Sequence, residues 1–432
     1  MRRANHGRRE VVTAYVPVLA TEACRLEGLA ATPDVAKARL TPLLDVTPPT
    51  RGRGLEAHLD ALAGAIANAV GTRPALVDAR DAGSERGDDC ARTADGRIHL
   101  AYLLDEARAR GLALVPVTGL RRPDAYHLAV AAAVQVDRRG VALRLQRPDF
   151  RDPGTLAARA LATLDGLGTA PEDTDLVLDF GGITAGHLAA YEATARAVVA
   201  ALTRDVVWRS VTVAAATQLL AAGRGLERGP RAVPRTDWLL WRALTAGTGA
   251  ASPLCRYACT GTLRFGDYGP LLYGPHPVRP DGAAEWVGYA HGSEWLVRDA
   301  GGETHRADGH RHEAHRQEGH RHDALRTEGP RAEPARPDAL RPDGLWSDGR
   351  RSVRVLRESS APVHAELIGG ATPWPEPRAA PTPDPWPAAT GAAAELRRGA
   401  AERATWRAAA VTHHLTVAVE QLAPSSRATD GG

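Results

Sequence analysis

Short runs rich in Leu and Val recur through the first half of this 432-residue chain, about every 25–40 residues, with amphipathic stretches between them. They are YVPVL (15–19), LTPLLDV (40–46), PALVDA (74–79), LALVPVT (112–118), VALRLQ (141–146), DLVLDF (175–180) and VVWRSVTV (206–213). Their apolar residues are contiguous rather than alternating, the pattern of strands buried on both faces. Between them, residues 55–70 carry Leu55, Leu59, Leu62 and Ile66 at helical spacing. Residues 98–110, 123–136, 154–164, 184–202 and 236–244 read as helices in the same way. Asp152-Pro153 supplies a start signal for one of them, a capping residue followed by a first-turn proline.

Seven strand–helix alternations of near-constant period predict an α/β chain whose parallel sheet is covered by helices. That many units favour closure into a (β/α)8, TIM-barrel-like single domain over an open doubly wound sheet. No G-x-G-x-x-G follows the first run, which removes the main support for a dinucleotide-binding alternative. The eighth strand has two candidates, TLRFGDY (262–268) and EWVGYAH (285–291); the other could be a hairpin strand beside the barrel.

After Gly301 the texture changes. Residues 305–349 divide into nine pentads, eight with Arg at the second place and all with Asp or Glu at the fourth. Period five fits neither helix nor strand, and most pentads offer nothing to bury, so residues 302–350 read as a disordered low-complexity insertion. Six histidines in it could bind metal adventitiously; a solvated linker with alternating charge is the simpler reading. A Pro/Ala-rich linker (351–391) follows, then a predicted C-terminal helix (392–423) packing on the barrel. Residues 1–12 and 424–432 read as a disordered arm and tail, leaving the barrel at 13–301.

Net charge is +3, so composition makes no case for nucleic-acid or membrane partners. No apolar run approaches the length of a membrane span, and Pro17 interrupts the first, so a soluble, cytoplasmic protein is expected. Four scattered cysteines fit a reducing compartment. Cys255 and Cys259 could be half a zinc site, but no second pair has finger-like spacing. Lys37 is the single lysine, in a segment that reads as a short solvated helix, which argues against Schiff-base chemistry.

In barrels, functional groups sit at the C-terminal ends of the strands and on the loops that follow. That rule selects Asp45, Asp78, Arg80, Thr118, Arg121, Arg144, Arg147 and Asp179. Asp179 stands out, because a buried strand-end carboxylate needs a metal, an arginine or N–H donors to stay charged. The tryptophans Trp238, Trp241, Trp295 and Trp406 read as core or interface anchors.

Several segments together resemble the bacterial and phage family known as the beta protein family. YVPVL and LTPLLDV look like its first two strands. PRTDWLLWRAL (234–244) followed by FGDYG (265–269) resembles its central signature. GYAHGSEWLVRDAG (288–301) and ATWRAAAVTHHLTVAVEQL (404–422) resemble later elements, with the pentads falling between them as an insertion. The resemblance implies a barrel-like fold and carries over no established activity. It adds Asp267, Tyr268, Arg235, His413 and His414 to the candidates. Where family members commonly have a lysine and a glutamate after the first strand, this chain has Glu22 and Arg25, an exchange that preserves a salt bridge but not a catalytic lysine.

Two functional expectations follow. In the first, Asp45, Asp78 and Asp179 gather a divalent cation at the barrel mouth for hydrolase-like chemistry. There Asp179, Asp267, Tyr268 and His413 are the catalytic candidates, and Arg80, Arg144, Arg235 and His414 hold an anionic small-molecule ligand. In the second, the mouth recognises a ligand or protein without catalysis, as in phage–host conflict. The lack of G-x-S-x-G, H-E-x-x-H and P-loop motifs favours that reading.

Overall fold

The computed structural model describes residues 14–50, 52–80, 91–218, 231–246, 254–270, 286–299 and 392–423. The expected arm (1–12), pentad insertion (302–350), linker (351–391) and tail (424–432) lie outside the described residues.

Eight parallel strands close into a barrel. They are β1 (Tyr15–Ala20), β2 (Leu43–Asp45), β3 (Ala75–Asp78), β4 (Leu114–Thr118), β5 (Val141–Gln146), β6 (Thr174–Ile183), β7 (Ser210–Thr217) and β9 (Leu263–Asp267). The short strand β8 (Arg231–Pro234) lies between β7 and β9 in sequence but outside the barrel. Closure comes from β9, which pairs with β7 on one side and β1 on the other. The first eighth-strand candidate is therefore the one used. The second forms β10 (Trp286–His291), which with β11 (Glu294–Asp299) and β8 makes a separate antiparallel sheet of order β10-β11-β8.

The helices follow the predicted alternation: α1 (Ala23–Ala31), α2 (Asp34–Lys37), α3 (Leu55–Val70), α4 (His99–Ala109), α5 (Asp124–Asp137), α6 (Pro153–Leu167), α7 (Leu188–Thr203), α8 (Thr236–Thr245), α9 (Cys255–Thr260) and α10 (Ala392–Gln421). Strand β7 begins at Ser210 rather than Val206, because the residues before it are held as a loop. The Trp208 indole donates to the Leu202 carbonyl at 2.7 Å, and the Tyr257 hydroxyl accepts from Trp208 N at 3.0 Å.

Two apolar layers result. Alternate strand residues such as Val16, Leu43, Leu76, Val117, Val177 and Ala214 fill the barrel interior. Their neighbours face the helices in a larger shell that includes Leu19, Val77, Leu178, Val213 and Phe265. Helix α10 completes this shell against α1. A Cβ at Gly28 would stand 2.6 Å from the Val411 Cβ, so the glycine is what lets the two helices touch. The Thr412 hydroxyl donates to the Gly28 carbonyl at 2.8 Å across the same contact. Among the described residues, no helix is long and apolar enough to cross a membrane.

Candidate functional site

Parallel closure brings the C-terminal ends of β2, β3, β5 and β6 to one rim, and the inward positions there are polar. Asp45, Asp78 and Asp179 converge, as the strand-end rule predicts, but on a guanidinium rather than a vacant centre. Arg144 reaches up from β5 and makes five hydrogen bonds, one for each N–H group it carries. Its Nε donates to Asp179 Oδ2 at 2.9 Å, and its Nη1 to Asp45 Oδ1 at 2.5 Å and Asp78 Oδ2 at 2.9 Å. Its Nη2 donates to Asp45 Oδ2 at 3.4 Å and to the Tyr268 hydroxyl at 2.8 Å. Tyr268 in turn donates to Asp179 Oδ2 at 2.7 Å.

Around this centre, Arg122 Nη2 lies 2.9 Å from both oxygens of Asp78. Arg80 donates to Gln146 Oε1 at 2.5 Å, and Gln146 donates to Asp179 Oδ2 at 3.2 Å. The bulge after Asp179 fixes its carboxylate: Gly181, at φ 59°, turns its N–H back to Asp179 Oδ1 at 2.9 Å. The Glu22/Arg25 pair is an ion pair of 3.4 Å, and Arg25 also donates to the Tyr268 carbonyl at 3.2 Å.

Asp45, Asp78 and Asp179, expected as metal ligands, are brought together, but the cation between them is the Arg144 guanidinium, which a metal would have to displace. Among the described residues, no group of three or more His, Cys, Asp or Glu side chains is placed to hold a metal ion.

The acids differ sharply. Asp78 and Asp179 each expose 1% of their side chain, as does Arg144 between them, whereas Asp45 exposes 28%. Burial opposes the charge on Asp78, but Arg122, Arg144 and Arg80 outweigh it and hold its pKa at about 2. Asp179 is likewise lowered against its burial, by Arg144, Tyr268 and the Gly181 N–H. Asp45 is raised: its desolvation exceeds the pull of Arg144, and Asp78 adds repulsion.

Opposite signs give opposite pH effects. Depressed Asp78 and Asp179 contribute stability that is complete above the unfolded carboxylate value near 4 and is lost as pH falls towards 2. Raised Asp45 binds its proton more readily in the folded state, so stability gains slightly as pH falls towards 4. The urea midpoint should therefore rise gently on acidification and then drop steeply between about pH 4 and 2. Asp45→Asn should reduce the rise, leaving the share that comes from Asp237, which burial also raises, and should keep the drop.

Not every candidate belongs to this rim. Asp267, Arg235 and His414 form a second buried cluster on the outer side of β9, under α10. Asp267 Oδ1 accepts from the Tyr15 hydroxyl at 2.7 Å, and His414 Nε2 lies 2.8 Å from Asp267 Oδ2. Arg235, fully buried, lies 3.5 Å from both Asp267 and Asp237 and donates to Gln421 Oε1 at 2.8 Å. Its guanidinium also lies over the Trp238 ring and over the Trp295 ring, 5.3 and 5.0 Å from their centroids. Burial opposes ionisation of Asp267, but His414 and Arg235 lower its pKa on balance.

This cluster joins α10 and the small sheet to the barrel wall, so Asp267, expected as a catalytic residue, and Arg235 and His414, expected as ligand-binding residues, lie together here and away from the Arg144 network. His413 is at neither site; it packs half-buried against Tyr289, ring centroids 5.8 Å apart. Trp238, Trp241 and Trp295 are buried as expected; the Trp406 side chain lies outside the described residues.

Among the other strand-end choices, Arg121 pairs with Asp149 at 2.9 Å and is 59% exposed, so its neighbour Arg122 is the one that reaches the site. Arg147 donates to the Phe180 and Gly182 carbonyls. Thr118 is buried, and its hydroxyl has no hydrogen-bond partner among the described residues. Arg122 and Gln146 were missed by the sequence reading; both lie within a few residues of a strand end, the signal that could have found them.

Among solved structures, the chain is similar to a type I 3-dehydroquinate dehydratase from Clostridium difficile with covalently modified comenic acid. That likeness has 11% identity and a TM-score of 0.31, and covers 47% of this chain and 75% of that one. It is also similar to a 3-hexulose-6-phosphate synthase, at 16% identity and a TM-score of 0.26, covering 56% of this chain and 96% of that one. No curated protein matches it. The family model described as Beta protein matches residues 15–323, from the first residue of β1 into the pentads and well over half of the sequence; the chain belongs to the Beta protein family.

Proposed function

We propose that this chain binds a small polar ligand at the C-terminal mouth of its barrel, with Asp45 as the group that meets it. One observation carries the reading: three carboxylates and an arginine from four strands and a tyrosine just after a fifth are locked together, and Asp45 is the acid among them that reaches solvent. Strand-end groups with divided pKa values, at the face where barrel enzymes place their chemistry, are what a binding or catalytic mouth requires.

The arrangement narrows the ligand. A divalent cation would have to displace the Arg144 guanidinium. An anion would have to compete with three aspartates for Arg144. A neutral or cationic ligand rich in hydrogen-bond donors, such as a polyol or an amine, meets neither obstacle. If a reaction follows binding, its proton carrier is Asp45, whose raised pKa brings its neutral and ionised forms closer to working pH while Asp78 and Asp179 stay charged.

A second reading, recognition without catalysis, is favoured by a specific feature. Arg144 spends all its N–H groups on the protein, which leaves none to polarise a substrate. The two readings share the binding site and diverge only in turnover.

Thermal-shift measurement against a panel of polyols, amines, phosphoesters and divalent cations tests the shared claim. A donor-rich ligand should raise the melting temperature of the native chain, and Asp45→Asn should weaken its binding about tenfold or more, the loss of one charge-assisted hydrogen bond. Stabilisation by phosphoesters or cations alone, or binding unchanged in Asp45→Asn, would overturn it.

A further inference from the structure

Away from the mouth, helix α9 carries two cysteines one turn apart, and their sulfurs are in contact. Cys255 Sγ and Cys259 Sγ are 3.5 Å apart, with Cys255 half-buried and Cys259 exposed; both are free thiols. Cys24, by contrast, is a buried free thiol. The pair does not belong to the barrel core. What fixes it is the residue between: Tyr257 is buried, and its hydroxyl bonds to Trp208 N at 3.0 Å and to the Val206 carbonyl at 3.2 Å, so the helix is pinned with its thiol edge outward.

The geometry distinguishes between the two things a close thiol pair can do. A disulfide needs sulfurs about 2.05 Å apart and Cβ atoms about 3.5–4.5 Å apart. Residues four apart on a helix hold their Cβ atoms about 5–6 Å apart, so that bond would require the helix to unwind. Chelation makes no such demand. Two sulfurs each about 2.3 Å from a shared tetrahedral ion stand about 3.8 Å from one another, close to the separation already present. Thiolate sulfur also selects soft ions over magnesium or calcium.

We propose that Cys255 and Cys259 form a surface dithiol clamp for a soft, thiophilic metal or metalloid ion of low coordination number. On binding, two S–H bonds break, two bonds from sulfur to the ion form, and two protons leave to solvent or to a hydroxide or oxide leaving group. Neither the ion nor the sulfurs change oxidation state. No third His, Cys, Asp or Glu ligand joins the pair among the described residues, so the remaining positions on the ion are filled by solvent or by the ion's own substituent. The clamp is independent of the ligand proposed for the mouth.

Phenylarsine oxide, which condenses with two thiols and releases one water, is the probe. The reduced full-length chain is treated with it, washed with excess 2-mercaptoethanol and weighed by intact mass spectrometry. One phenylarsenic group per chain should survive the wash, because a chelate ring resists a monothiol, and dithiothreitol should release it. Cys255→Ser and Cys259→Ser should each abolish retention while leaving the circular dichroism spectrum unchanged, since neither thiol is in the core. Loss of the adduct from the native chain in the monothiol wash would overturn the proposal. So would its retention in either folded serine variant, which would place the adduct on other cysteines.

Discussion

Arg144→Met should destabilise the barrel by about 3–5 kcal/mol, the range for removing one partner of a buried ion pair, and is expected to bring the chain close to unfolding. The cost comes from the aspartates rather than from the lost arginine contacts. Asp179 and Asp78 are each 1% exposed, and without Arg144 the charge on Asp179 keeps the hydrogen bonds of Tyr268, Gln146 and the Gly181 N–H but loses its guanidinium counter-ion. Removing the carboxylate charges as well should reverse much of the loss. A variant combining Arg144→Met with Asp45→Asn and Asp179→Asn should recover at least half of it, because neutral groups in the same space need no counter-ion. Urea denaturation of the three proteins provides the comparison. A single variant within about 1 kcal/mol of the native chain would mean that the network is dispensable.

Asp267→Ala should cost a similar amount, about 3–5 kcal/mol, and its effect should be localised differently. It leaves Arg235 buried with Asp237 as its remaining acidic partner among the described residues, removes the acceptor of the Tyr15 hydroxyl, and empties the space facing His414 Nε2. All of these groups lie where α10 meets the wall, so the helix should loosen before the barrel does. Hydrogen exchange would register this as faster exchange in residues 410–421, with β5 and β6 still protected. Uniform acceleration throughout the barrel would show instead that α10 and the wall unfold as one unit.

The barrel was legible in the sequence because strands buried on both faces leave contiguous apolar runs, a signal that needs no knowledge of partners. Strand β8 left no such trace. It is four residues, RAVP, and it exists because β11 pairs with it from some sixty positions away. The same limit hid the choice between the two eighth-strand candidates, since each reads locally as a strand.

The site was legible in part for a similar reason. Strand ends nominated Asp45, Asp78, Asp179 and Arg144, but position along a strand does not reveal which group occupies the centre. An arginine at an inward position between Ala142 and Gln146 does carry that information, because a buried guanidinium must be met by acids. Period two also separates Asp267 from Tyr268. Neighbours at a strand end face opposite sides, so both could not have served the mouth. The FGDYG motif groups the two residues, and alternation divides them.

One contact spans nearly the whole chain: the Tyr15 hydroxyl lies 3.0 Å from His414 Nε2, across 399 positions. On a ribosome elongating at about 5–20 residues per second, the tyrosine emerges roughly 20–80 s before its histidine. For most of that interval the apolar face of α1 around Gly28 stands open, and once Arg235 and Asp267 have emerged, Asp267 waits 147 positions more for its histidine. The nascent protein thus completes its wall only once residues 410–421 have been translated, which makes that delay the period when it most needs protection from other chains.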